Sequence, residues 1–243
     1  MQAVAVTGFR LPVDLQAILF DKDGTLIDYE RTWAPINIEA ARLAAAGDET
    51  LARELLRAGG VDPRTGRTRA DSLFASGNTI EIAEGLIAGG SPFEPAVLTG
   101  HLDALFRQAA SRAVPLTDLP SLFGVLRSHN IAIGIASSDS EAAIRATVHS
   151  LNVSDLVGFV CGYDSGHGIK PQPGMVHAFC ALTGSEPSRI AVIGDNRHDM
   201  AMARAAGAVA VAVLSGTGTE ETLKDCSDVC IAGVAELPAL LGG

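Results

Sequence analysis

From residue 114 onward the chain repeats one pattern, a short apolar run, a polar turn and a stretch of helical spacing, and few folds accommodate it. Apolar runs at 131–136, 159–161, 189–193, 208–213 and 229–231 alternate with amphipathic segments at 118–129, 140–151, 172–183, 198–206 and 220–224. Runs that are apolar throughout, rather than at every second residue, are strands buried on both faces. That is the pattern of a parallel sheet covered by helices on both sides. Asp118 is placed to cap the helix it precedes, and Gly207 to stop the helix at 198–206. The predicted class is therefore α/β, with a Rossmann-like parallel sheet core.

One further apolar run lies near the start, Ala17-Ile18-Leu19-Phe20, and it ends in Asp21-Lys22-Asp23-Gly24-Thr25. At a strand end, side chains two residues apart point the same way, so Asp21 and Asp23 can converge on one spot. Gly24 permits a tight turn that brings backbone amides close to a ligand. Two converging acids at the carboxyl end of a parallel strand suit a divalent cation and a phosphate.

Between this strand and the alternating half, the pattern is helical only. Segments 33–46, 49–58, 79–87 and 94–110 carry apolar residues at helical spacing, and the polar stretch 59–78 reads as a loop. No strand alternates with them. The spacing predicts a core domain made of residues 1–28 and 113–243, with a helical domain of residues 29–112 inserted into it.

Composition narrows the function. Hydrophobic residues make up 47% and charged ones 19%, as in a globular protein, and no apolar run is long enough for a membrane span. The first residues lack a signal-peptide pattern. Cys161, Cys180, Cys226 and Cys230 show neither metal spacing nor a disulfide framework, which fits buried thiols in a reducing cytoplasm. A net charge of -10 argues against a nucleic-acid surface.

Polar groups follow strands of the alternating half, and ligands of open α/β sheets bind at that edge. Ser137 and Ser138 follow the strand at 131–136, Lys170 sits in GIKPQP, and Asp195 and Asp199 bracket the turn in IAVIGDNRHDM. Two acids flanking one strand-to-helix turn repel each other unless a cation lies between them.

Taken in order, DKDGT, a Ser after a strand, Lys-Pro and GDxxxD resemble the four motifs of the haloacid dehalogenase-like superfamily, from about residue 17 to residue 213. The match is to the phosphoglycolate phosphatase-like branch, in which a helical cap is inserted after the first motif. The resemblance implies Asp21 as the nucleophile, forming an aspartyl-phosphate, and Asp23 as general acid and base. It implies Mg²⁺ held by Asp21, the Asp23 carbonyl and Asp195, with Asp199 acting through water or by orienting the site. Ser137, Ser138, Lys170 and the amides around Gly24 would hold the phosphoryl oxygens. The substrate would be a small phosphorylated metabolite, and the protein a monomer or homodimer without nucleic-acid or membrane partners.

Three positions depart from the branch. Lys22 stands where an apolar residue is usual, and is expected to point into solvent or to touch the cap. Gly174 replaces an Asp after KPQP, which bears on helix capping. His198 stands at a place often held by Asn. Asp23 argues against dehalogenation. The absence of any lysine from 29–112 removes the Schiff-base nucleophile of a phosphonoacetaldehyde hydrolase. A β-phosphoglucomutase-like phosphotransferase and a non-catalytic binding protein of the same fold stay open as alternatives. Within the cap, Arg64, Arg67 and Arg69 are either solvated or aimed at a second anionic group such as the carboxylate of phosphoglycolate. Tyr29 and Trp33 either pack the cap or line the pocket, packing being the expected role.

Overall fold

The computed structural model describes residues 9–241; the first residues, on which the absence of a signal peptide was read, lie largely outside them. Six parallel strands form one sheet in the order β3-β2-β1-β4-β5-β6. They are β1 (Ala17–Phe20), β2 (Ala132–Ala136), β3 (Phe159–Cys161), β4 (Ile190–Gly194), β5 (Val209–Val213) and β6 (Val229–Ile231). The central strand β1 pairs with β2 on one side, Ile18 opposite Ile133, and with β4 on the other, Ile18 opposite Ala191. Strand order reverses about β1, so the crevice at its carboxyl end is the natural ligand site.

Alternate residues of each strand feed two separate cores. Ile18, Phe20, Ile133, Ile135, Ile193 and Val211 face one side, where Phe123 and Leu126 of α6 (Leu119–Ser128) and Ile144 of α7 (Glu141–Ser150) cover them. Leu19, Val192, Ala210 and Ala212 face the other, packed by Phe179 of α8 (Gly174–Thr183) and by Met200 and Ala203 of α9 (Arg197–Ala206). This is why the strands read as continuous apolar runs. Asp118 caps α6, accepting from Ser121 N at 3.2 Å, and Gly207 ends α9 in the left-handed conformation with φ 77°.

The intervening helices are α1 (Tyr29–Ala44), α2 (Glu49–Ala58), α3 (Leu73–Ser76), α4 (Thr79–Ala88) and α5 (Pro95–Ala110). They enclose a third apolar cluster of their own, including Trp33, Leu55, Phe74, Leu86, Leu98 and Leu102. The short α3 lies within the stretch expected to be a loop. Its four residues are held by tertiary contacts, with Phe74 buried and its carbonyl accepting from the Tyr29 hydroxyl at 2.8 Å.

Two connecting segments join this helical block to the sheet, and they run side by side. Asp28 N donates to Val114 O at 2.8 Å and Leu116 N to Leu26 O at 3.0 Å, around an antiparallel bridge between Ile27 and Pro115. The block rests on the strand ends. Ser138 Oγ donates to Ser76 O at 3.3 Å, and the Tyr163 hydroxyl to Asp103 Oδ2 at 3.0 Å. No helix among the described residues is long and apolar enough to cross a membrane. The four cysteines are unpaired thiols.

Candidate active site

At the carboxyl edge of the sheet a cavity of about 600 Å³, counted out to its open mouth, lies between the strand ends and the helical block. Asp21, the first residue beyond β1, is fixed by its amide, which donates to Ile193 O at 2.7 Å. The chain then turns tightly at Gly24, with φ 80°. A side chain there would be strained, and its Cβ would also meet Asp195 Oδ2 at 2.5 Å and Gly216 Cα at 2.7 Å. Gly24→Ala is therefore expected to cost roughly 1–3 kcal/mol in stability and to displace Asp195. Urea denaturation together with phosphate release would detect both losses.

Asp195, just past β4, and Asp199, in the first turn of α9, complete a buried acidic group with Asp21. One carboxylate oxygen from each lies within 4.8 Å of the others. Lys170, 9% exposed, contacts Asp21 Oδ1 and Asp199 Oδ1, both at 2.6 Å. Among the described residues Asp195 accepts only from Thr217, whose amide lies at 2.6 Å and whose hydroxyl at 3.2 Å.

Burial pushes the Asp21 carboxyl up to about 7; Lys170 opposes the rise, and Asp199 and Asp23 add to it. Asp195 is raised well above the usual carboxylate range by burial, then by the charges of Asp21 and Asp199. Burial alone would lower the Lys170 ammonium, but the two carboxylates outweigh it and the net shift is upward. Three buried carboxylates served by one ammonium form an oxygen-only donor set short of positive charge. Such a set fits a hard divalent cation.

Ser137 lies at the end of β2, 2% exposed, and lines the cavity with Ser138 and Lys170. Its hydroxyl accepts from Asp139 N at 3.2 Å, while the cap of α7 is supplied instead by Ser140. Asn196, next to Asp195, caps α9 through its Oδ1, and its buried Nδ2 has no partner among the described residues. It lines the same cavity and leaves one donor for a ligand.

Lys22 does not point into solvent. It is fully buried between Asp23 at 2.6 Å and Asp139 at 3.0 Å, with its ammonium 5.0 Å from the centre of the Trp33 ring. Trp33 Nε1 also donates to Asp23 Oδ1. The Asp23 carboxylate is thus oriented from two sides and stands apart from the acidic group of Asp21, Asp195 and Asp199. Asp139, half-buried on the cavity wall, is a residue the sequence reading missed; its carboxyl is raised by desolvation, with Lys22 working against the rise.

The helical block supplies the roof of the cavity through Tyr29, Trp33, Asn37, Phe74, Ile82 and Phe106, together with the stretch Ala75-Ser76-Gly77. Tyr29 and Trp33 do both jobs, packing the block and lining the cavity. Arg64, Arg67 and Arg69 do not line it. All three are exposed on a hairpin closed by a bridge between Val61 and Thr68, where Thr68 takes the inward place. Of the two readings of these arginines, that register agrees with the solvated one and not with the one aimed at the site. Gly174 also has a different reason from capping: a Cβ there would collide with the carbonyl of His167.

A buried carboxylate beside an ammonium, with a second carboxylate in the following turn, thus stands at the edge of a Rossmann-like sheet. The family model described as haloacid dehalogenase-like hydrolase matches residues 15–207, and the chain belongs to that family. A phosphoglycolate phosphatase of Photorhabdus laumondii subsp. laumondii is 25% identical over 226 residues, covering 89% of this chain and 88% of its own. Among solved structures, a predicted phosphoglycolate phosphatase from Haemophilus somnus 129pt superposes with a TM-score of 0.72 at 14% identity, covering 93% of this chain and 98% of that one. A β-phosphoglucomutase from Clostridium difficile gives a TM-score of 0.69 at 21% identity, covering 92% and 93%. These last two share the fold. The chain is an HAD-like hydrolase.

Proposed function

We propose that the protein is a Mg²⁺-dependent phosphatase of small phosphorylated metabolites, working through an aspartyl-phosphate on Asp21. The observation that carries this reading is the meeting of Asp21, Asp195, Asp199 and Lys170 in one buried group at the sheet edge. A phosphate monoester resists attack because of its own charge, so catalysis rests on positioning and neutralisation. Asp21 attacks phosphorus and the bond to the leaving oxygen breaks, while Asp23 gives that oxygen a proton. Asp23 then takes a proton from water, the water attacks phosphorus, and phosphate leaves with Asp21 restored. Lys170, Ser137, Ser138 and the amides about Gly24 hold the phosphoryl oxygens. Asp21, the Asp23 carbonyl and Asp195 would hold the cation, with Asp199 behind them, and the cation would supply charge neutralisation.

The helical block, residues 29–112, is read as a cap that excludes water from the intermediate, hinged on the paired segments at Leu26–Asp28 and Val114–Leu116. Hydrolysis is favoured over transfer to a sugar hydroxyl because the family model is a hydrolase. A cytoplasmic monomer or homodimer accords with this reading.

Phosphate release from a panel of phosphorylated metabolites, with Mg²⁺ and with EDTA, tests it. Metal-dependent release supports the reading, and a folded protein that releases none contradicts it. Binding of the cation is expected to show separately in stability. At a hundredfold excess over its Kd it contributes about 2.7 kcal/mol, or roughly 5–10 °C in Tm. Asp195→Asn should remove most of that increment, as a thermal scan at matched Mg²⁺ would show.

A further inference from the structure

We infer that the substrate of this site is the monophosphate ester of an uncharged alcohol with a ring or apolar face, and not one bearing a second anionic group. The inference rests on the phosphatase reading above and names its substrate class. The floor of the cavity, at the strand ends, carries the phosphoryl machinery. The roof must therefore meet whatever the phosphate is attached to. That roof is made of Tyr29, Trp33, Asn37, Phe74, Ile82 and Phe106, and none of them is charged.

The polar atoms of the roof are largely committed. The Tyr29 hydroxyl donates to Phe74 O at 2.8 Å and accepts from Asn37 Nδ2 at 3.3 Å, and Ser76 O accepts from Ser138. Phe106 stands edge-on to Trp33, with ring centroids 5.6 Å apart, so the wall presents aromatic surface. Ring faces and sugar C–H groups pack on such surfaces without needing a charge partner.

The balance of charge points the same way. Asp21, Asp23, Asp139, Asp195 and Asp199 all line the cavity. Lys170 is engaged by two of them, and Lys22, fully buried between Asp23 and Asp139, is not part of the wall. His198 lies on the floor at the head of α9, not on the roof. The three arginines that could have offered a guanidinium face solvent. A carboxylate on the leaving group would thus enter a partly desolvated space among other carboxylates, without a cation to receive it. A hydroxymethyl group in the same place meets no such penalty.

The test compares phosphoglycolate with 2-hydroxyethyl phosphate, its neutral counterpart of nearly equal size, and with a hexose 6-phosphate and phenyl phosphate. The site as built predicts kcat/KM at least about tenfold higher for 2-hydroxyethyl phosphate than for phosphoglycolate, and higher again for the ring-bearing esters. Equal or better turnover of phosphoglycolate would overturn the inference and leave the phosphatase reading standing. A binding series on Asp21→Asn, followed through the fluorescence of Trp33, the chain's single tryptophan, makes the same comparison without turnover. Tighter binding of the neutral esters supports the inference, and equal or tighter binding of phosphoglycolate overturns it. Release of no phosphate from any ester would sink the phosphatase reading, while the binding series still decides the preference.

Discussion

Asp21→Asn is expected to lower kcat by roughly four orders of magnitude or more, while leaving the protein folded and its cation-free form no less stable. The two halves of this result have one cause. The carboxyl at residue 21 is buried and pushed up to about 7, so its charged form is costly in the fold. An amide of the same shape removes that cost, and Lys170 keeps Asp199 as its partner at 2.6 Å. The same amide cannot attack phosphorus. Stability and activity should therefore move in opposite directions, as they do where a site holds strained electrostatics. Phosphate release and thermal unfolding without Mg²⁺ measure the two halves. A variant that lost activity only by unfolding would not bear on the nucleophile.

Lys22→Met is expected to destabilise the protein by about 3–5 kcal/mol, a large effect for a residue of similar length. The ammonium is fully buried, and its removal strands the half-buried Asp139, whose Oδ2 is enclosed, without a cation. Adding Asp139→Asn to Lys22→Met should recover a substantial part of the loss, because the stranded charge goes with it. Urea denaturation of the two singles and the double would give the coupling. Lys22→Met should also release Asp23 from one of the two groups that orient it, since Trp33 Nε1 remains. A fall in kcat with KM nearly unchanged is the expected kinetic sign, bounded by the 10²–10⁴-fold typical of general acid–base catalysis. A Lys22→Met protein as stable as the wild type would show that the buried pair carries no net weight.

The core was legible because its strands are apolar on both faces and because Asp21, Ser137 and Asp195 fall directly after strands, where one rule places them. The helical block was legible as helices and, through the resemblance, as a cap, but not in which of its residues face the sheet edge. Nothing local says which side of α1 meets the sheet edge, so Asn37 and Ile82 could not be assigned to the cavity. Arg64, Arg67 and Arg69 show the same limit: the bridge between Val61 and Thr68 sets which side chains turn inward, and that register depends on tertiary contact. Lys22 was legible in part: it meets Trp33 of the helical block, as one of its two readings had it, but its full burial was not foreseen. Alternation along an ideal strand sends it away from Asp21 and Asp23, but the chain has already left the strand, and its partner Asp139 is remote in sequence. The motif after β2 held a signal that went unused, since Asp139 follows Ser137 and Ser138 directly. α3 escaped because four residues hold their helix through Phe74 and Tyr29 rather than through spacing.

The claim on which the rest depends is that Asp21 becomes covalently phosphorylated. Acid quenching during turnover of an active ester with Mg²⁺, followed by peptide mapping, tests it directly. The account predicts a phosphorylated peptide in which Asp21 carries the group, absent from Asp21→Asn. Steady phosphate release with no phosphorylated Asp21, and with activity surviving in Asp21→Asn, would contradict it.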